Sequence, residues 1–231
     1  MGFDSLRQLF FLEWLAGLGI ADITTDESLM KTDQSANAIV TNPKTLEDLR
    51  KIVAGIDVSF RECALNMVFG VGNPQADILL LGEAPGAEED RQGVPFVGQS
   101  GQLLDKMLAA INLDRSIVYI TNIIPWRPPG NRTPTLQEVA LFRPYVLQHI
   151  RIVNPKIVVC LGSTATKALT QINQSLTQSR GKWIKISELD ADIMATFHPA
   201  YLLRSPSQKK EAWHDFLSIR ARYSEIQSRL G

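Results

Sequence analysis

The chain has 231 residues, 45% apolar and 21% charged, which excludes a disordered or collagen-like polymer and allows one sizeable core. The formal charge is zero, yet residues 1–119 hold 9 Lys/Arg against 17 Asp/Glu, and residues 120–231 hold 15 against 7. A basic half suits a nucleic-acid face, although charge alone fits two halves that attract each other just as well. Two cysteines, Cys63 and Cys160, imply no disulfide framework and suit a reducing compartment.

Met1–Ile20 carries Leu6, Leu9, Phe10, Trp14 and Leu18 near helical spacing and reads as an amphipathic N-terminal helix. Asp4, Arg7 and Glu13 interrupt it too often for a signal peptide or a membrane span, so a cytoplasmic protein without a membrane partner is expected. Residues 21–44 are polar and aperiodic and read as a flexible linker. A main domain is expected over residues 45–231. It opens at Thr45-Leu-Glu-Asp48, a capping pattern for a short helix to about Ala54.

Four apolar strand candidates follow: Asp77–Leu81, Ile117–Thr121, Lys156–Leu161 and Ile193–Thr196. Helices are expected at Gln102–Ala110, Leu136–Val153, Ala165–Leu169 and Gln208–Arg229, and Trp183–Ile186 is a candidate further strand. This alternation predicts an α/β fold of three layers, α/β/α, around a central four-stranded, mainly parallel sheet. Each main strand ends in an unusual peptide: Gly82-Glu-Ala-Pro-Gly86, Thr121-Asn122, Gly162-Ser-Thr164 and Phe197-His-Pro-Ala200. Open α/β sheets bind ligands at the carboxyl ends of their strands, so these peptides are expected to form one site.

The most informative stretch is Gly82–Gly101, GEAPGAEEDRQGVPFVGQSG. It crowds Glu83, Glu88, Glu89 and Asp90 around a single aromatic, Phe96, which suits a flat polar ligand better than a bare phosphate. Asn122 offers one donor and one acceptor to an amide-like edge. The stiff loop Arg127-Pro-Pro-Gly-Asn-Arg-Thr-Pro134 holds two arginines and Asn131, suited to phosphates. His198, stiffened by Pro199, aims a donor at an oxygen that gains charge, or else caps the helix that follows.

In order and spacing, Gly82–Gly101, Thr121–Pro134 and His198–Arg204 resemble the uracil-DNA glycosylase superfamily, most closely its family 4 enzymes. The resemblance implies a monofunctional glycosylase that extrudes uracil from single- or double-stranded DNA and hydrolyses its N-glycosidic bond. Phe96 would then stack on the base, Asn122 would read its Watson–Crick edge, and backbone near Ala84 would face the pyrimidine. His198 would stabilise charge on the departing base. Arg127, Arg132, Leu202, Leu203 and Arg204 would contact the strand. Related families carry Asp where Ala84 stands, which leaves Glu83, Glu89 or Asn131 to polarise the attacking water. A monomer is expected. So is the absence of any metal: of four cluster cysteines in family 4, only Cys63 remains, and Phe60, Trp126 and Phe142 occupy the other positions. Two other readings stay open. One is a weakened, cluster-free member that only binds DNA or a partner. The other is a glycosylase for a different deaminated base.

Overall fold

The computed structural model describes residues 43–230, so the expected helix over 1–20 and most of the linker lie outside the described residues. The described residues form a six-stranded sheet flanked by helices. The strands are β1 (Val71–Gly72), β2 (Ile78–Gly82), β3 (Val118–Asn122), β4 (Ile157–Leu161), β5 (Trp183–Ile184) and β6 (Asp192–Thr196), in the order β1-β3-β2-β4-β6-β5. The four central strands run parallel, as the continuous apolar runs predict. The four expected central strands are flanked by two-residue edge strands: β5 lies within the candidate Trp183–Ile186 and pairs antiparallel with β6, and β1, which was not expected, pairs antiparallel with β3. At two residues, β1 is too short for any periodicity to announce it.

The helices are α1 (Leu46–Ala54), α2 (Ala87–Gln92), α3 (Gln99–Ala109), α4 (Leu136–Val153), α5 (Ser163–Thr170), α6 (Leu176–Ser179), α7 (Pro199–Arg204) and α8 (Lys209–Leu230). Thr45 accepts the Asp48 N–H at 3.1 Å and starts α1. Thr135 and Glu138 close a reciprocal box at the start of α4, with bonds of 3.2 and 2.7 Å. The short helices α2 and α6 show no apolar face in the sequence, and α7 is the helix that His198 was expected to cap.

Strand alternation divides the core. Leu79 and Leu81 of β2 point with Val158 and Cys160 of β4 toward one helical layer, with Leu49, Val146, Ile150 and Leu169. Ile78 and Leu80 point with Ile157, Val159 and Leu161 toward the other, with Leu104, Leu108, Phe216 and Ile219. Two helical layers on opposite faces of a parallel sheet are the expected three-layer sandwich. Among the described residues, no helix is long and apolar enough to cross a membrane.

One polar group lies deep in the first layer. His149 of α4 stacks on Phe69 at 4.4 Å between ring centroids, and its Nε2 lies 3.1 Å from the Tyr119 hydroxyl. Burial pushes the imidazole from 6.5 down to about 3. Unfolded His149 takes a proton below 6.5 that the folded ring refuses until about 3, so its contribution to stability is whole above 6.5 and drains away as pH falls through that window. Urea midpoints at about pH 7 and about pH 5 should therefore differ, with the acid value lower and the gap smaller in His149→Gln. An equal gap in the variant would remove His149 as its source.

Candidate active site

A cleft of about 740 Å³ opens at the carboxyl ends of β2, β3 and β6. Three strand ends and two loops bring Glu83, Phe96, Asn122, Asn131, His198 and Arg204 to its wall. The convergence expected from the strand-terminal peptides holds for β2, β3 and β6.

Its floor is Gly82. In the register of the sheet Gly82 stands beside Asn122. A Cβ on Gly82 would lie 2.2 Å from Asn122 Oδ1 and 2.7 Å from the Phe96 ring. Only a residue without a side chain lets the amide and the ring meet there. Asn122 is 6% exposed, and its Oδ1 is buried without a hydrogen-bond partner among the described residues. A buried acceptor left unpaired costs about 1–3 kcal/mol, a cost that a ligand N–H would relieve.

Phe96 is buried beside it, in the left-handed region at φ 56°, rare for a residue with a side chain. Such a conformation costs about 1 kcal/mol or more and persists where the surroundings enforce it. Gly101 leaves room: a Cβ there would lie 1.7 Å from the Phe96 carbonyl oxygen. The Arg115 guanidinium donates to the carbonyls of Pro95, at 3.1 Å, and Phe96, while its Nε donates to Asp105 at 2.7 Å.

His198 follows β6 and caps α7. Its Nδ1 accepts the Ala200 N–H at 3.1 Å, so in the neutral ring the proton sits on Nε2. Burial above all, then the positive Arg204, pushes this imidazole from 6.5 down to about 4, with Glu89 opposing. The ring stands 5.5 Å from that of Phe96. Cap and candidate donor are thus the same side chain, since the cap uses one nitrogen and leaves the other.

The carboxylates separate by their partners. Glu89 Oε1 accepts the N–H groups of Val97 and Gly98 at 3.0 and 2.9 Å, and Oε2 accepts that of Gly86 at 3.1 Å. It staples both ends of the loop together. Asp90 is 1% exposed, and its Oδ1 accepts the N–H groups of Leu65 and Asn66 at 2.8 and 3.1 Å, tying α2 to the segment before β1. Glu88 pairs with Arg91 at 2.6 Å on the surface. Glu83 makes no side-chain hydrogen bond among the described residues and lines the cleft, as does Ala84. Asn131 Oδ1 is occupied by Arg127 Nε at 2.7 Å.

The residues expected on DNA also divide. Leu203 and Arg204 are exposed at the rim. Leu202 is a correction: the helical turn of α7 points it inward, where it packs with Phe197 and Ala212. Arg132 grips Glu138 through two bonds of 2.8 and 2.5 Å, and Arg127 approaches the Asp90 carboxylate at 4.0 Å. Both arginines brace the loop that carries them. Gly82, Asp90 and Arg115 were missed as site-builders from sequence. Gly82 and Asp90 stood inside the singled-out stretch, whereas Arg115 sits in an ordinary turn with no local signal.

An aromatic ring, a buried amide oxygen without a partner among the described residues and an imidazole thus meet at the carboxyl ends of one sheet, a set that can stack on and hydrogen-bond a planar ligand. Residues 69–217 match the Uracil DNA glycosylase superfamily. The type-4 uracil-DNA glycosylase of Archaeoglobus fulgidus is 38% identical over 75% of this chain and 92% of its own. That of Thermotoga maritima is 39% identical over 71% and 88%. A type-5 uracil-DNA glycosylase of Pyrobaculum aerophilum is more distant, 29% identical over 57% and 64%. The chain belongs to the uracil-DNA glycosylase superfamily and lies nearer its type-4 than its type-5 members.

The Glu89 staple is testable apart from any activity. Glu89→Gln keeps one acceptor oxygen and turns an NH₂ toward a backbone N–H. It should lower stability by about 1–3 kcal/mol in urea. A midpoint equal to that of the parent would show the carboxylate to be dispensable for the loop.

Proposed function

We propose that this protein is a monofunctional uracil-DNA glycosylase that hydrolyses the N-glycosidic bond of deoxyuridine in DNA and so initiates base-excision repair. The observation that carries the reading is the unpaired, buried Asn122 Oδ1 beside the Phe96 ring. Uracil presents an N–H donor next to a carbonyl acceptor, and an Asn amide complements that pair. Cytosine presents the reverse and would leave the same oxygen facing a lone pair.

Breaking the bond leaves an electron-poor sugar and a uracil anion. Neutral His198 donates from Nε2 toward the oxygen where that charge gathers, and the Ala200 N–H on Nδ1 holds the tautomer that makes this possible. Phe96 receives the extruded base by stacking, and Leu203 and Arg204 at the rim face the strand it left. For the water, Glu83 is the best-placed group, because Glu89 is bound to three backbone donors and Asn131 to Arg127. The protein acts as a monomer in this reading. Two free cysteines, Cys63 exposed and Cys160 buried, accord with a cytoplasmic enzyme.

We also propose that the protein works without the iron–sulfur cluster of family 4. The residues at the ligand positions do not fit it. Phe60, Trp126 and Phe142 are buried and packed together, with Phe142 5.9 Å from Trp126 and 6.5 Å from Phe60 between ring centroids. Arg61 and Arg132 stack over Trp126 and Phe60 at 5.5 and 6.0 Å. One exposed thiol, Cys63, is not a four-thiolate set.

Uracil-containing oligonucleotides, single- and double-stranded, should be cut at the abasic site after incubation with the protein and then alkali. His198→Ala should lower kcat by about 10²–10³-fold. No cutting of either substrate would exclude the glycosylase reading, and a His198→Ala variant at full rate would leave the imidazole only its cap. Purified protein should be colourless, and absorbance at about 400 nm with bound iron would overturn the cluster-free reading.

A further inference from the structure

The chemistry above uses the ring of Phe96 but not what holds it. That ring lies over Gly82 and its carbonyl is pressed against Gly101, in a backbone conformation that a phenylalanine does not adopt unaided. Two successive carbonyls, those of Pro95 and Phe96, point to one place, and that place is filled by a single guanidinium. Arg115 reaches it from the turn between α3 and β3, and Asp105 on α3 fixes the orientation of its fork through Nε at 2.7 Å. Both partners of the clamp thus lie outside the loop, on elements anchored in the core by Leu104, Leu108 and Leu113. A planar fork supplies two parallel donors at a fixed spacing, which an ammonium does not.

We infer that Arg115 is a positioning residue for base stacking: by bridging the Pro95 and Phe96 carbonyls it holds the left-handed turn that lays the Phe96 ring across Gly82 beside His198. The kinetic part of this inference rests on the glycosylase reading, while the clamp itself does not. Glu89 secures the flanking Val97 and Gly98 N–H groups, so Arg115 and Glu89 grip the same turn from opposite sides, one by its acceptors and one by its donors.

The test pairs kinetics with hydrogen exchange in the full chain. Arg115→Lys keeps the charge near Asp105 and loses the fork. It should lower kcat/KM on uracil-containing DNA by about tenfold, and Arg115→Ala by more. In a Phe96→Ala background, Arg115→Lys should cost nothing further, within about twofold. Amide exchange at Val97 and Gly98 should speed up by about tenfold or more in Arg115→Lys, with Leu104 and Leu108 unchanged. Full activity in Arg115→Lys, losses that multiply with Phe96→Ala, or unchanged protection at Val97 and Gly98 would each overturn the inference. A parent protein that leaves uracil-containing DNA intact overturns the glycosylase reading instead, and the exchange measurement then decides the clamp by itself.

Discussion

The site depends on a missing side chain. At the end of β2 the sheet brings Gly82 beside Asn122, and the space a methyl group would take is already shared by an amide oxygen and an aromatic ring. Everything else in the cleft is arranged around that contact. The amide oxygen is buried and unpaired among the described residues, and the ring and the amide both approach the strand where no side chain rises from Gly82. The constraint is steric and local, yet it determines which chemical edge a ligand must present to bind.

Holding the ring there takes several independent restraints because its backbone is unfavourable. Glu89 gathers the N–H groups of Gly86, Val97 and Gly98, and the guanidinium of Arg115 gathers carbonyls. Asp90 anchors the short helix between them to the preceding segment. Carboxylates that look crowded in the sequence are dispersed in space. One serves the loop, one a neighbouring segment and one a surface arginine, and Glu83 lines the cleft with no side-chain hydrogen bond among the described residues.

Much of this was legible in the chain itself. The four central strands and the longer helices announce themselves through apolar runs and caps, because burial on both faces of a parallel sheet leaves few polar residues in a strand. Asn122 and His198 were legible because each stands at the carboxyl end of a strand, and Phe96 because it is the single aromatic in a glycine-rich, acidic stretch. What stayed hidden depends on distance. Nothing around Arg115 shows that it reaches back across 19 residues to Phe96. Leu202 and Leu203 are indistinguishable until the turn of α7 sends one inward and the other outward. The edge strand β1 exists only through its pairing with β3.

The aromatic packing of Phe60, Trp126 and Phe142 has a consequence for where such an enzyme can work. On the cluster-free reading proposed above, the tilted, packed rings need no iron and have no oxidation states to cycle through. The wall they form keeps its shape when iron is scarce or peroxide is abundant.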